Sequence, residues 1–322
     1  MPGLRSKDAF AALAPALSAA TKLSGLCLSH NSLGAAGCSI LAEAVGGLIV
    51  LDNLGLAGNC IGDDAMRTLA PKLTLLPGLR VLDMRHNFIR IEAMDLLMRS
   101  ITQLRQITTL KLAHNTLGDE SIRVLATAMP EFADLTELDL SGVDVTVTGL
   151  VDVATAVSAC VKLHRLNLSN LSAGAIGIQQ IAPALEKLPM LEVLNVSNNQ
   201  ILDQGAIALS HSLGGALALR HLNLADNEIR KRAIPGLLSL LKLPELVSLD
   251  LSGNSIKRDV FEAAARDCSQ LAATSCCKWR VGSHENDEHQ CGPWPDSRVS
   301  THSDEFGKSY RHNTVSLGGD WH

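Results

Sequence analysis

The sequence predicts an α/β solenoid, a horseshoe of about nine 28-residue repeats with a parallel β-sheet on its concave side and helices outside. Three observations predict it. The segment from Leu23 to Leu33, LSGLCLSHNSL, returns in frame at Leu51, Leu79, Ile107, Leu135, Leu163, Leu191, Leu219 and Leu246, with a step of 28 residues seven times and then 27. Inside each copy the apolar residues first alternate and then recur at i, i+4, a strand followed by a helix. The chain is 46% hydrophobic but only 3% aromatic, which suits stacked aliphatic layers better than a pocket lined by rings.

Residues 1–22 read as a partial repeat whose helix caps the first strand layer. Leu13 and Leu17 share the phase of the later helix columns, and Pro15 shares that of Pro71 and Pro183. The run AFAALAPALSAA behind Arg5 and Lys7 also has the outline of a short signal peptide, against which Asp8 counts.

Residues 23–272 carry the repeats. In the seventh copy Leu191, Leu194, Val196, Asn199 and Ile201 are placed to point into one core. The asparagine recurs at Asn31, Asn59, Asn87, Asn115, Asn199, Asn227 and Asn254. Its amide can both donate to and accept from backbone groups that a buried turn leaves unpaired. Copies five and six have Val143 and Leu171 in that slot, so a local irregularity is expected there. Two helix columns follow, Leu41, Leu69, Leu97, Leu125, Val153, Ile181, Leu209 and Leu237, and four residues later Val45, Leu73, Ile101, Met129, Val157, Leu185, Leu213 and Leu241. Strands stack about 4.8 Å apart whereas packed helices need about 8–10 Å, so the helices must lie on the outside of a curve.

Each copy matches LxxLxLxxNxL. With its 28-residue step and full helices, the array over residues 9–272 resembles the ribonuclease-inhibitor type of leucine-rich repeat, as in NOD-like receptors and the activating protein of the Ran GTPase. The resemblance implies a binding surface, and by the last of these relatives a regulator of a small GTPase. Arg85 and Arg90 flank an exit loop where an arginine could meet nucleotide charge. The long acidic tail of that family is missing, and no residue is carried over from it.

Residues 273–322 depart from the frame. They hold all three tryptophans and five of the eleven histidines, with five basic against seven acidic residues. A disordered tail is expected. Cys276, Cys277, His284, His289 and Cys291 are soft groups in a spacing that fits no zinc frame.

Net charge of −5 argues against nucleic acid as partner, and no run of about 18 apolar residues exists to span a membrane. Cys27, Cys38, Cys60 and Cys160 are scattered without a disulfide framework, which points to a reducing cytoplasmic compartment. The sequons at Asn167, Asn170 and Asn195 arise from the repeat frame itself and carry little weight for secretion. No phosphate-cradling glycine loop, nucleophile elbow or metal-binding helix motif is present, so neither catalytic residue nor cofactor is expected.

The expected function is therefore a non-catalytic, monomeric scaffold that binds a protein through the concave sheet and adjoining loops. Its candidate contact column is Asp83, Lys111, Asp139, Asn167, Asn195, Asn223 and Asp250, with Asp83, Lys111 and Asp139 able to form a ladder of alternating charge. Two residues earlier stand Arg165 and His221. At the exit from the strand stand Arg85, where every other copy has serine or alanine, and His86 and His114, one repeat apart. Two histidines lack the third ligand that a metal site needs, so no metal is expected.

Overall fold

In the computed structural model, which describes residues 7–267, 278–282 and 314–316, each repeat is one strand, one exit turn and one helix. The strands are β1 (Gly25–Cys27), β2 (Asn53–Gly55), β3 (Val81–Asp83), β4 (Thr109–Lys111), β5 (Glu137–Asp139), β6 (Arg165–Asn167), β7 (Val193–Asn195), β8 (His221–Asn223) and β9 (Ser248–Ser252). All pair in parallel with their sequence neighbours. The register is Leu26, Leu54, Leu82, Leu110, Leu138, Leu166, Leu194, Leu222 and Leu249 in one row, and every one of these leucines is buried. The helices are α1 (Lys7–Ala19), α2 (Gly34–Ala44), α3 (Asp63–Leu73), α4 (Ile91–Ile101), α5 (Asp119–Ala128), α6 (Val147–Ala159), α7 (Gly174–Leu185), α8 (Leu202–Ser212), α9 (Ile234–Leu240) and α10 (Arg258–Asp267). Both apolar columns named above are buried along their whole length.

The asparagine slot works as a two-sided bridge. Asn59 donates from Nδ2 to the carbonyls of Leu56 and Ala57 in its own turn, and to Leu28 in the preceding repeat. Its Oδ1 accepts from the backbone N–H of Asn31 at 2.9 Å. Asn199 and Asn227 repeat the pattern. At the interruption Val143 and Leu171 are buried in the same place. The disturbance expected there does not reach the sheet, because β4, β5, β6 and β7 keep an unbroken parallel register. One link across the gap comes instead from the helix starts, where the Asp119 carboxylate accepts the Thr146 backbone N–H at 2.8 Å.

The residue just before the asparagine slot has a positive φ in all nine copies: His30, Gly58, His86, His114, Gly142, Asn170, Asn198, Asp226 and Gly253, between 52° and 67°. The turn leaves the strand through the left-handed region, which glycine enters freely and asparagine, aspartate and histidine more readily than other residues. Those four types are the only occupants.

The two ends of the array are closed differently. Helix α1 packs on α2 and buries Phe10 and Leu17. At the other end, Lys278–Gly282 forms strand β10, which pairs in parallel with β9 and buries Val281. Part of the segment expected to be a disordered tail thus extends the sheet, because the alternation in KWRVG offers it one apolar side chain to bury and a full set of backbone partners on an otherwise open edge. Thr314–Ser316 forms β11 against β1. Cys276, Cys277, His284, His289 and Cys291 lie outside the described residues.

Candidate binding face

The concave face concentrates its chemistry on four consecutive repeats. A cavity of about 230 Å³ opens over β4, β5 and β6 and the turns that follow β3 to β6. Seven of the twelve candidate contact residues line it: Arg85, His86, Lys111, His114, Asp139, Arg165 and Asn167. Glu137, Ser141, Ser169 and Asn170 complete the polar wall. Glu137 was absent from the candidate set, although its place diagonal to Lys111 and opposite Arg165 on neighbouring strands was readable from the register.

The expected ladder of Asp83, Lys111 and Asp139 does not form. The three are register neighbours, yet each takes a different partner. Lys111 Nζ reaches diagonally to Glu137 Oε1 at 2.7 Å. Asp83 holds Arg85 through two side-chain bonds, Nε to Oδ1 at 3.0 Å and Nη2 to Oδ2 at 2.8 Å. Asp139 accepts from Ser141, both the backbone N–H at 3.0 Å and the hydroxyl at 2.7 Å. The physical reason is reach: an aspartate at the strand end is short and meets the N–H two residues on, whereas a lysine can cross to the next strand.

That local bond recurs along the column. Asp83, Asp139, Asn167, Asn195, Asn223 and Asp250 each accept the backbone N–H two residues later. All but Asp250 are the last residue of their strand, and Asp139, Asn223 and Asp250 are only 8%, 9% and 8% exposed. Asn195, Asn223, Asp250 and His221 lie further along the arc and do not line the cavity; His221 Nδ1 is 2.8 Å from the Ser248 hydroxyl. Burial, then Arg220 and Arg165, holds the His221 imidazole below its ordinary pKa against the opposing pull of Glu192.

On the exit rim the imidazoles of His86 and His114 stack, with centroids 4.4 Å apart and planes 12° from parallel. The His114 ring in turn lies over Gly142, and the His30 ring over Gly58. Burial, then His114, Arg85 and His30, lowers the His86 pKa, with Asp83 opposing. The two bonds to Asp83 hold the Arg85 guanidinium beside its own strand end, which lends no support to its acting as a reaching arginine on a nucleotide, and the same pairing raises its pKa. Among the described residues no three His, Cys, Asp or Glu side chains are grouped to hold a metal ion. Cys27, Cys38, Cys60 and Cys160 are unbridged; burial pushes the thiols of Cys38 and Cys160 up to about 12 and about 11.

A family model described as Leucine Rich repeat matches residues 103–126 and 187–210. No curated protein matches the chain. Similar solved structures include internalin C2 from Listeria monocytogenes str. 4b F2365, 20% identical over 74% of this chain and 83% of that one, with a TM-score of 0.45. Another is the TLR13–ssRNA13 complex, 19% identical over 69% of this chain and 34% of that one, with a TM-score of 0.42. The matched repeats and the parallel sheet with alternating helices identify the fold as an α/β leucine-rich-repeat solenoid. No helix among the described residues is long and apolar enough to cross a membrane.

Proposed function

We propose that this leucine-rich-repeat solenoid is a non-catalytic binding module that holds a protein partner on its concave face, centred on the cavity over β4 to β6. The observation that carries the reading is the gathering of seven candidate side chains from four successive repeats around one opening, on a rigid sheet. A broad concave array of mixed-charge side chains recognises a macromolecule by shape and charge rather than by reacting with it. A protein is favoured over nucleic acid by the net charge of −5. The four unbridged thiols favour a reducing intracellular setting.

Affinity capture from the source cell's lysate tests the proposal, with the full chain beside Lys111→Glu and Arg165→Glu variants shown to unfold at the wild-type temperature. One protein retained by the wild type and lost from both variants supports it. Equal recovery by all three moves the binding surface elsewhere. Retention of a GTPase whose hydrolysis is stimulated, and no longer stimulated by Arg85→Ala, would replace the scaffold with a regulator.

A further inference from the structure

We infer that the cavity over β4 to β6 receives an oxyanion, a carboxylate or phosphate group carried by the protein partner, and this rests on the concave face being the binding face. The chain as a whole is negative, but the cavity lining is not. Three permanent cations, Arg85, Lys111 and Arg165, face two carboxylates, Glu137 and Asp139, with the two imidazoles beside them.

The cations also keep hydrogen-bonding capacity to spare. A guanidinium has five N–H groups and an ammonium three. Arg85 gives two of its five to Asp83, and Lys111 gives one to Glu137. Both therefore keep donors for an incoming oxygen. The carboxylates are partly engaged: Glu137 through Oε1 by Lys111 at 2.7 Å, with Arg165 opposite it in register, and Asp139 through Oδ1, which takes both bonds from Ser141 in a nearly buried position. The cavity thus presents charge-assisted donors, the stronger kind, to an incoming oxygen.

The stacked imidazoles add a conditional element. Two protonated rings 4.4 Å apart repel, and His86 also faces Arg85 and, more distantly, His30, with only Asp83 on the favourable side. A bound oxyanion supplies the missing counter-charge, so its binding and proton uptake by His86 reinforce each other.

The test is a titration of the full chain with sodium acetate and, separately, sodium phosphate, against sodium chloride at equal ionic strength, following the imidazole proton resonances of His30, His86, His114 and His221. Saturable shifts at His86 and His114, with His86 taking up its proton at higher pH when the anion is bound, are expected. Affinity should fall about tenfold in Lys111→Gln and in Arg165→Gln, one charge-assisted contact being removed in each. A response to acetate points to an acidic side chain, and one to phosphate alone to a phosphorylated segment. Shifts no larger than chloride produces, or unchanged in both variants, overturn the inference while leaving the capture experiment to decide the concave face independently. A single-stranded oligoribonucleotide that shifts the same resonances at lower concentration than either salt overturns the assignment to a protein.

Discussion

The imidazole of His114 lies so close over Gly142 that a β-carbon on residue 142 would stand 2.3 Å from its Nδ1. The absence of a side chain in one repeat thereby creates the seat for a ring in the repeat before it, and that ring is the one against which His86 stacks.

Gly142→Ala therefore carries two penalties, a left-handed backbone at φ 63° that alanine resists and an overlap with His114. A loss of about 1–2 kcal/mol in unfolding free energy is expected. The His114 resonance should move in the same variant. An unmoved resonance would show that the ring does not rest on residue 142.

Asn59→Ala removes an amide that bonds three carbonyls and accepts a backbone N–H from the preceding repeat. Denaturant unfolding should report a loss of about 2–4 kcal/mol, since buried backbone groups lose their partners on both sides. Stability within experimental error of wild type would contradict the bridging role.

Asp139→Ala is expected to cost about 1–2 kcal/mol, because the Ser141 N–H and hydroxyl are left without their acceptor in a nearly buried turn. An aspartate that served only as a partner contact would leave stability untouched when replaced.

Leu110→Ala, in the fully buried leucine row, should lose about 2–5 kcal/mol by opening a cavity. A neutral result in thermal unfolding would break the register on which the whole sheet is described.

Acidification should also weaken the fold through His86. Its pKa is lowered in the native chain, chiefly by burial and then by His114 and Arg85. Below the ordinary histidine value of about 6.5 the unfolded state takes up a proton that the native state refuses, so stability falls as pH drops from there through the lowered native value and levels off beneath it. His86→Asn keeps the left-handed turn and should flatten that slope. An unchanged slope assigns the titration to another group.

The sheet and its helices were legible because they are written in apolar spacing, and a buried leucine row tolerates no other reading. The candidate contact column was legible only by direction: the sequence places Asp83, Asp139 and Asn167 on the concave side, but not the bond each makes to the N–H two residues on. That bond depends on the path of the chain after the strand, which the positive φ of the next turn sets. Glu137 was passed over for a related reason, since its pairing with Lys111 is diagonal rather than direct and only the long lysine stem makes it favourable. At β10 the departure from the repeat frame hid a strand, because sheet extension needs an open edge and a few alternating residues, not a full repeat.

The left-handed turn has a further consequence for how this surface can be varied. A rim that leaves every strand through the same backbone region favours a four-letter alphabet of glycine, asparagine, aspartate and histidine, and the nine positions hold only those letters. Glycine is blank, asparagine is neutral, and aspartate is fixed in sign near neutral pH. Histidine alone changes its charge there. Where this rim is to respond to its surroundings rather than merely to hold a shape, histidine is the letter that serves, and copies one, three and four carry it.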